Sequence, residues 1–480
     1  MAWYQIWGLP RPWRSATNMT YCAARFFAEG GKGINYFLWH GGTNFGRDSM
    51  YLQTTQYEFG AALDEFGCRT LKYEMLSSLN KALVAHQDIL AACDMPEVRE
   101  ILPDVGARVF SHGGREIVFL FNDRDVSTGN VEFEWREQTW SLPGRSILML
   151  VENKETWRCS ETDTPDPAKR VFAPIRTIKD AEWQEAVECM PDEKDFIHTG
   201  QPREQLAFTK NKSDYAWYKS DIIVSGNNPQ KGVVTFHGIN DFFQVFINGR
   251  RVAVSNGHLL EDRGPWDGED YRQSFELELQ PGRHQLAVLV CSLGLVKGDW
   301  QAGRRNMVEE RKGFWGHASW RPNPGMAADC VRIGDWHIHP GLSGEITRIA
   351  ASEGRSTQWS PFRLESSGVP LRWYRLKFPT PPGDEPLAFD FGGLGKGLAW
   401  VNGECLGRYW TVNSVAPTII HTEHNQVMNF SPPGGPSQRY YHLPREWLRE
   451  RENTLLLFEE TGGDPGGVEL VKWLPESSQE

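Results

Sequence analysis

The sequence predicts a multidomain, mostly β chain that opens with a short α/β segment. Three observations lead there. A helix, a buried strand, a long loop and a second helix follow one another once, between about residues 15 and 93. From about Val98 the pattern changes to short apolar runs separated by turn residues. Two longer β regions then repeat one plan: a Trp-Tyr strand, a strand–Asn-Gly–strand hairpin, and a closing Leu/Val run.

The first helix is read in SATNMTYCAARFFAE, residues 15 to 29, with Ser15 or Thr17 as cap and Gly30-Gly31 as stop. An apolar run, Ile34 to Trp39, reads as a buried strand and ends abruptly in HGGTNFGR. A second helix is expected from about Leu71 to Cys93, with Leu71, Met75, Leu79, Ala82 and Leu83 on its apolar face. This rhythm belongs to an α/β barrel or doubly wound sheet. A barrel needs eight such units, so a single one reads as a remnant.

The runs ARVFS, EIVFLFN, VEFEW and SILMLV predict a small antiparallel β domain, and SETDTPDPAKR reads as the linker after it. The repeated β regions hold Asn248-Gly249 and Asn402-Gly403, which suit tight hairpins because both residues accept positive φ. Two tandem jelly-roll sandwiches are the simplest reading. The expected domains are 1–97, 98–165, 166–365 and 366–480.

Composition excludes several function classes. The 480 residues carry 40% hydrophobic and 24% charged side chains, ordinary for a globular chain that buries real cores. A net charge of −11, from 51 basic and 62 acidic residues, argues against a nucleic-acid binder. No stretch approaches the ~20 apolar residues of a membrane span. MAWYQIWGLPRPWRS lacks the basic start and continuous apolar core of a signal peptide, and Trp3, Tyr4, Ile6 and Trp7 look like the middle of a folded unit. The eight cysteines are scattered without a CxxC pair, so zinc and redox motifs are not expected, and free thiols in cores are the simplest reading. Asn18, Asn211 and Asn429 open N-glycosylation sequons, which matter only in a eukaryotic secretory pathway.

Six stretches carry a more specific resemblance: ARFFAEGGKGINYFLWHGGTNFGR (24–47), YEFGAALDEFG (57–67), WSLPGRSILML (140–150), GKGLAWVNGECLGRYW (395–410), SQRYYHLPREWL (437–448) and FEETGGDPGGVELVK (458–472). In this order they resemble the β-galactosidases of glycoside hydrolase family 35, in the plant-like multidomain arrangement. The resemblance implies a (β/α)8 catalytic barrel with galactose-binding-like jelly rolls behind it. It implies hydrolysis of terminal β-D-galactosides with retention, and a galactose-containing oligosaccharide or polysaccharide as partner. No cofactor, metal, nucleic acid or membrane enters, the oligomeric state is open, and an extracellular or periplasmic location is the family's usual one.

Retaining hydrolysis needs two carboxylates about 5–5.5 Å apart. Trp3-Tyr4 and Ile6-Trp7-Gly8 resemble the residues just after the family's nucleophile, so the nucleophile and the acid/base are both expected upstream of Met1. Barrel strands one to seven would be missing, and Ile34–Trp39 would be strand eight. The resemblance makes Tyr36 and Tyr57 sugar-side residues, with a core tyrosine as the plain alternative for Tyr36. Phe59 stands where the family has a second tyrosine that reaches the sugar. His40 tempts as an acid/base, but the family uses carboxylates, so His40 and Asn44 are expected to shape the loop. Glu58, Asp64 and Glu65 are nearby acids, and Asp64-Glu65 is expected to fix the turn before the second helix.

Two other functions are open to the chain. One is a non-catalytic carbohydrate-binding or scaffold protein with Trp400, Tyr409, Trp410, Tyr440 and Tyr441 as a stacking platform, against core packing as the simpler use of those rings. The other is a glycosidase built on Glu58 or Glu459-Glu460.

Overall fold

A computed structural model describes residues 2–58, 60–161, 171–175, 182–255, 271–295, 311–322, 330–355, 357–416 and 429–474. Phe59 and residues 162–170 of the expected linker lie outside the described residues.

The first helix, α1, spans Ala16–Ala28, and the Ser15 hydroxyl accepts the Asn18 backbone N–H at 3.1 Å as its cap. The second expected helix is broken into α2, Leu71–Val84, and α3, Gln87–Ala92. Its buried face is Lys72, Leu76, Leu79 and Leu83, one position round from the expected stripe, and Leu71 is exposed. The reason is the partner: Leu76, Leu79 and Leu83 pack with Tyr21, Ala24 and Ala28 of α1 against one sheet.

That sheet is the small β unit. Its order is Glu97–Leu102, Val105–His112, Arg115–Asn122, Ser146–Val151, Lys154–Ser160, all antiparallel neighbours. One face carries Phe110, Phe119, Ile147 and Met149 toward the helices. The other carries Val118, Leu120, Leu148 and Leu150 toward the hairpin Asn130–Trp135/Gln138–Pro143. Both faces are covered, so the central strands are apolar at almost every position instead of alternating.

Ile34–Trp39 forms no strand. Residues 34–36 are irregular and a turn follows. A strand persists only with a ladder partner, and none pairs with this segment among the described residues. Ile34 is 42% and Phe37 66% exposed, so side chains expected in a barrel lie open.

The remaining chain builds two pairs of sheets. In the first pair, six strands run Ile197–Gly200, Trp336–Pro340, Tyr215–Val224, Gly282–Cys291, Phe242–Ile247, Arg250–Val254, and share a core with the four-stranded sheet built on Gln230–Asn240 and Gly313–Pro322. In the second pair, six strands centred on Arg372–Pro379, Glu452–Glu459 and Lys396–Val401 share a core with four that include Leu387–Asp390 and Glu469–Leu474. Both Asn-Gly steps close hairpins, with φ of +50° and +78° at Asn248-Gly249 and +54° and +95° at Asn402-Gly403.

The boundary expected at 166, which gives everything up to 365 to the first sandwich, does not match this topology. Val171–Ile175 pairs with Glu469–Leu474, and Gln184–Val187 pairs with Arg372–Pro379. The chain lays down two strands of the second pair, builds the first pair, and then returns. Strands this short carry little sequence signal for their partners.

A buried charge cluster joins the two pairs. Lys396 and Glu460 are 0% and 1% exposed, with the Lys396 ammonium 2.6 and 2.7 Å from the two carboxylate oxygens. Tyr215 of the first pair donates its hydroxyl to the same Glu460 at 2.7 Å. Removing one member leaves an uncompensated buried charge, at a cost of about 3–5 kcal/mol. Lys396→Met should therefore lower the thermal midpoint markedly, and Lys396→Met with Glu460→Leu should recover part of the loss. Equal midpoints for wild type and Lys396→Met would rule out a structural role for the pair.

Candidate functional site

The loop after Trp39 is held by backbone contacts on three sides. Asn44 N–H donates to Thr55 at 2.8 Å, Gly46 N–H to Cys405 at 2.9 Å, and Tyr51 N–H to Leu295 at 2.9 Å. Thr55 donates its hydroxyl to the Arg408 carbonyl. Arg47 reaches Asp214 at 2.8 Å, and Asp214 is shared with Arg408. The loop is thus a clasp across both sheet pairs. Gly41 is needed for it, because a Cβ there would lie 1.8 Å from the Tyr57 carbonyl oxygen.

Along this clasp lies a cleft of about 370 Å³, between the N-terminal segment, the 56–65 stretch and residues 431–440. Arg11, Gln56 and Glu65 line one side, and Gln438, Arg439 and Tyr440 the other. Gln56 N–H donates to the Gln438 side chain at 3.0 Å, and Gln5 donates to the Ser437 carbonyl at 2.7 Å. Tyr440 stacks on Phe172 with centroids 3.9 Å apart.

Three carboxylates stand at or beside the cleft in different environments. Glu58 is buried and paired with Arg11 at 2.7 Å. Asp64 accepts the backbone N–H groups of Phe66 and Cys68, each at 2.9 Å, and so shapes the turn as expected. Glu65 does not shape the turn. It is buried and accepts the Thr43 hydroxyl at 2.7 Å. Burial pushes its carboxyl up to about 8, opposed by the Thr43 bond. Thr43 also meets His442 Nδ1 at 3.0 Å, and burial lowers that imidazole to about 4, leaving it neutral at pH 7.

Tyr36 lies away from this cleft. Its ring packs on Trp39 at 5.5 Å, which in turn packs on Tyr73 of α2 at 5.7 Å. Its phenol oxygen is buried without a hydrogen-bond partner among the described residues. Tyr57 is half-buried, with its N–H on the Gly42 carbonyl at 3.1 Å. His40 is exposed, with Nε2 3.5 Å from the Glu65 carbonyl. Asn44 reaches the Thr54 carbonyl at 3.5 Å through its side chain.

The aromatic platform is not assembled. Tyr409, Trp410 and Tyr441 are buried, and Trp400 packs on Trp373 at 5.7 Å. Only Tyr440 reaches the cleft. All eight cysteines are free thiols; Cys159 and Cys291 are buried, but Cys189 and Cys330 are exposed. Sequence reasoning passed over Thr43, Gln438 and His442. Their one signal is small polar residues inside otherwise aromatic stretches.

Two outcomes follow from this geometry. Gly41→Ala should open the clasp and lower the thermal midpoint, whereas Gly33→Ala, where a Cβ meets nothing within 4 Å, should not. A carboxyl raised in the folded state favours folding fully below its ordinary pKa and loses that contribution as pH rises to about 8. Glu65→Gln, which still accepts from Thr43, should therefore match wild type near pH 4.5 and exceed it in thermal midpoint at pH 8. Parallel midpoints across this range would show that Glu65 titrates normally.

Residues 1–83, which carry α1, the clasp and nearly all of α2, match the family described as glycosyl hydrolases family 35. Residues 371–453, in the second pair of sheets, match the galactose-binding domain of beta-galactosidase. Beta-galactosidase 8 of Arabidopsis thaliana is 30% identical over 496 residues, covering 98% of this chain and 55% of the relative. Beta-galactosidase 6 of Oryza sativa subsp. japonica is 29% identical over 502 residues, covering 98% and 56%. The chain spans about half the length of the curated relatives it matches. Among solved structures, an α-L-rhamnosidase of Streptomyces avermitilis aligns over 75% of this chain and 32% of its own, at 11% identity and a TM-score of 0.20, too low to carry an argument. No helix among the described residues is long and apolar enough to cross a membrane. Two stretches of this chain thus match models of the glycosyl hydrolase family 35 β-galactosidases, and plant β-galactosidases align along nearly its whole length.

Proposed function

We propose that these residues are the scaffold and one sugar-side wall of a retaining β-galactosidase, acting on terminal β-D-galactosides. The (β/α)8 barrel would be completed, and both catalytic carboxylates supplied, by sequence outside the 480 residues. In this reading α1, the 34–39 segment and α2 are the last part of that barrel, and the two sheet pairs are its galactose-binding-like jelly rolls.

The observation that carries the reading is Tyr36. A buried phenol without an acceptor costs about 1–3 kcal/mol relative to a satisfied one. A galactose hydroxyl or a catalytic carboxylate arriving from outside these residues would satisfy it. Tyr57 would stand on the same wall, while His40 and Asn44 keep the loop in shape. The local acids support the reading by being occupied: Glu58 serves Arg11, Asp64 serves a turn, and Glu65 serves Thr43.

The 480-residue chain alone should therefore release no nitrophenol from p-nitrophenyl β-D-galactoside above background. Fused behind the preceding half of a plant β-galactosidase it should do so, and Tyr36→Phe in that fusion should lower kcat/KM roughly 5- to 150-fold, the equivalent of the ~1–3 kcal/mol above. In the lone chain the same substitution should leave the thermal midpoint unchanged or slightly higher. Turnover by the lone chain that Glu58→Gln abolishes would replace this reading with catalysis by the local acids.

A further inference from the structure

Three metal-ligating side chains converge on the edge of the first pair of sheets, and none of them lines the cleft. His198 lies on the edge strand Ile197–Gly200, and His337 lies on the neighbouring strand Trp336–Pro340. They are direct antiparallel partners, so both rings leave the same face of the sheet. The ring centroids are 4.8 Å apart. Asp335, in the turn ahead of the second strand with φ +56°, places a carboxylate oxygen 2.8 Å from His198 Nε2. One ligand atom from each of the three lies within 4.8 Å of the others.

The His337 ring is oriented as metal-binding imidazoles are. Its Nδ1 is 3.2 Å from the Asp335 carbonyl oxygen. Donation of Nδ1–H to that carbonyl fixes the tautomer and leaves the Nε2 lone pair for a cation, the second interaction typical of a ligating histidine. The nearby lysine does not compete. Lys219, paired with His337 across the strands, is held by Glu193 at 2.8 Å. Arg283 is likewise paired with Asp221 at 2.6 Å.

We propose that His198, His337 and Asp335 form a binding site for a divalent transition-metal ion of the zinc class, with water completing the coordination. Two imidazoles and one carboxylate suit zinc better than calcium or magnesium, which prefer all-oxygen sets. Zn–N of about 2.0–2.1 Å and Zn–O of about 2.0–2.2 Å place tetrahedral ligand atoms roughly 3.3 Å apart. Rotation of exposed side chains supplies that spacing: His198 and Asp335 are 62% and 76% exposed. The ion would pin an edge strand to its neighbour. No local motif marks the site, because His198 stands far from Asp335 and His337 along the chain and no cysteine takes part.

The test is equilibrium dialysis of the full 480-residue chain against about 10–100 µM Zn²⁺, followed by metal analysis. All samples are first alkylated, which removes the exposed thiols of Cys189 and Cys330 as competing ligands. Wild type should retain one equivalent of zinc more than His198→Gln and one more than His337→Gln. Its thermal midpoint should rise with zinc while theirs do not. Asp335→Asn should weaken uptake tenfold or more. The two histidine variants lie on different exposed positions, so a folding failure of one leaves the other as a control, checked by circular dichroism. Equal zinc uptake by wild type and a folded histidine variant, or no uptake by wild type, would reduce the trio to a hydrogen-bonded surface cluster and overturn the proposal.

Discussion

The architecture depends on two buried ionic contacts at one junction. Asp214 sits between Arg408 and Arg47, and Glu460 sits between Lys396 and Tyr215. Asp214 and Tyr215 belong to the first pair of sheets, Arg408, Lys396 and Glu460 to the second, and Arg47 to the N-terminal clasp. Arg408 also donates to the Ser292 carbonyl at 2.8 Å. Desolvating these charges costs several kcal/mol per ion, and only close pairing offsets it. That requirement admits one relative placement of the units. An apolar contact of equal area would tolerate sliding, because hydrophobic burial is non-directional.

The covalent path reinforces the same junction. Val171–Ile175 and Gln184–Val187 are committed to the second pair before the first is made. At the other end Pro12–Trp13 pairs with Asn429–Phe430, and Trp7, fully buried, packs near Trp410 with centroids 6.2 Å apart. The N-terminal segment is therefore continuous with the second core. Trp7 reads as interior in the sequence because it is interior, and most of the core it enters comes from the far end of the chain.

Much of the β architecture was legible from local chemistry. The Asn-Gly hairpins, the Ser15 cap and the change of pattern near Val98 each follow from short-range physics. The failures share a cause in partners that local sequence does not name. Ile34–Trp39 has the composition of a strand and, among the described residues, no ladder to join. The face of α2 is set by the small sheet, which rotates it one position from the stripe that periodicity favours. At the candidate site, Asp64 was readable because an Asx turn is local. The Thr43–Glu65 and Thr43–His442 contacts were not, since His442 lies about four hundred residues from Thr43.

This distinction bears on what the N-terminal loop does. HGGTNFGR looks like a loop that serves a pocket, yet most of its hydrogen-bonding capacity is spent on holding three units together. Gly41 gives the backbone its closest approach, Thr43 ties the buried acid to the second pair, Phe45 packs on Trp447 at 4.7 Å, and Arg47 closes the junction. A loop built this rigidly cannot act by moving. Its role is positional: through Gly42 and Thr55 it holds the 55–57 stretch in one place relative to the β scaffold. Preorganisation of that kind is what binding and catalysis demand of groups that do not themselves react. The clasp and the β scaffold are then parts of one device, and the buried ions at the junction set its geometry.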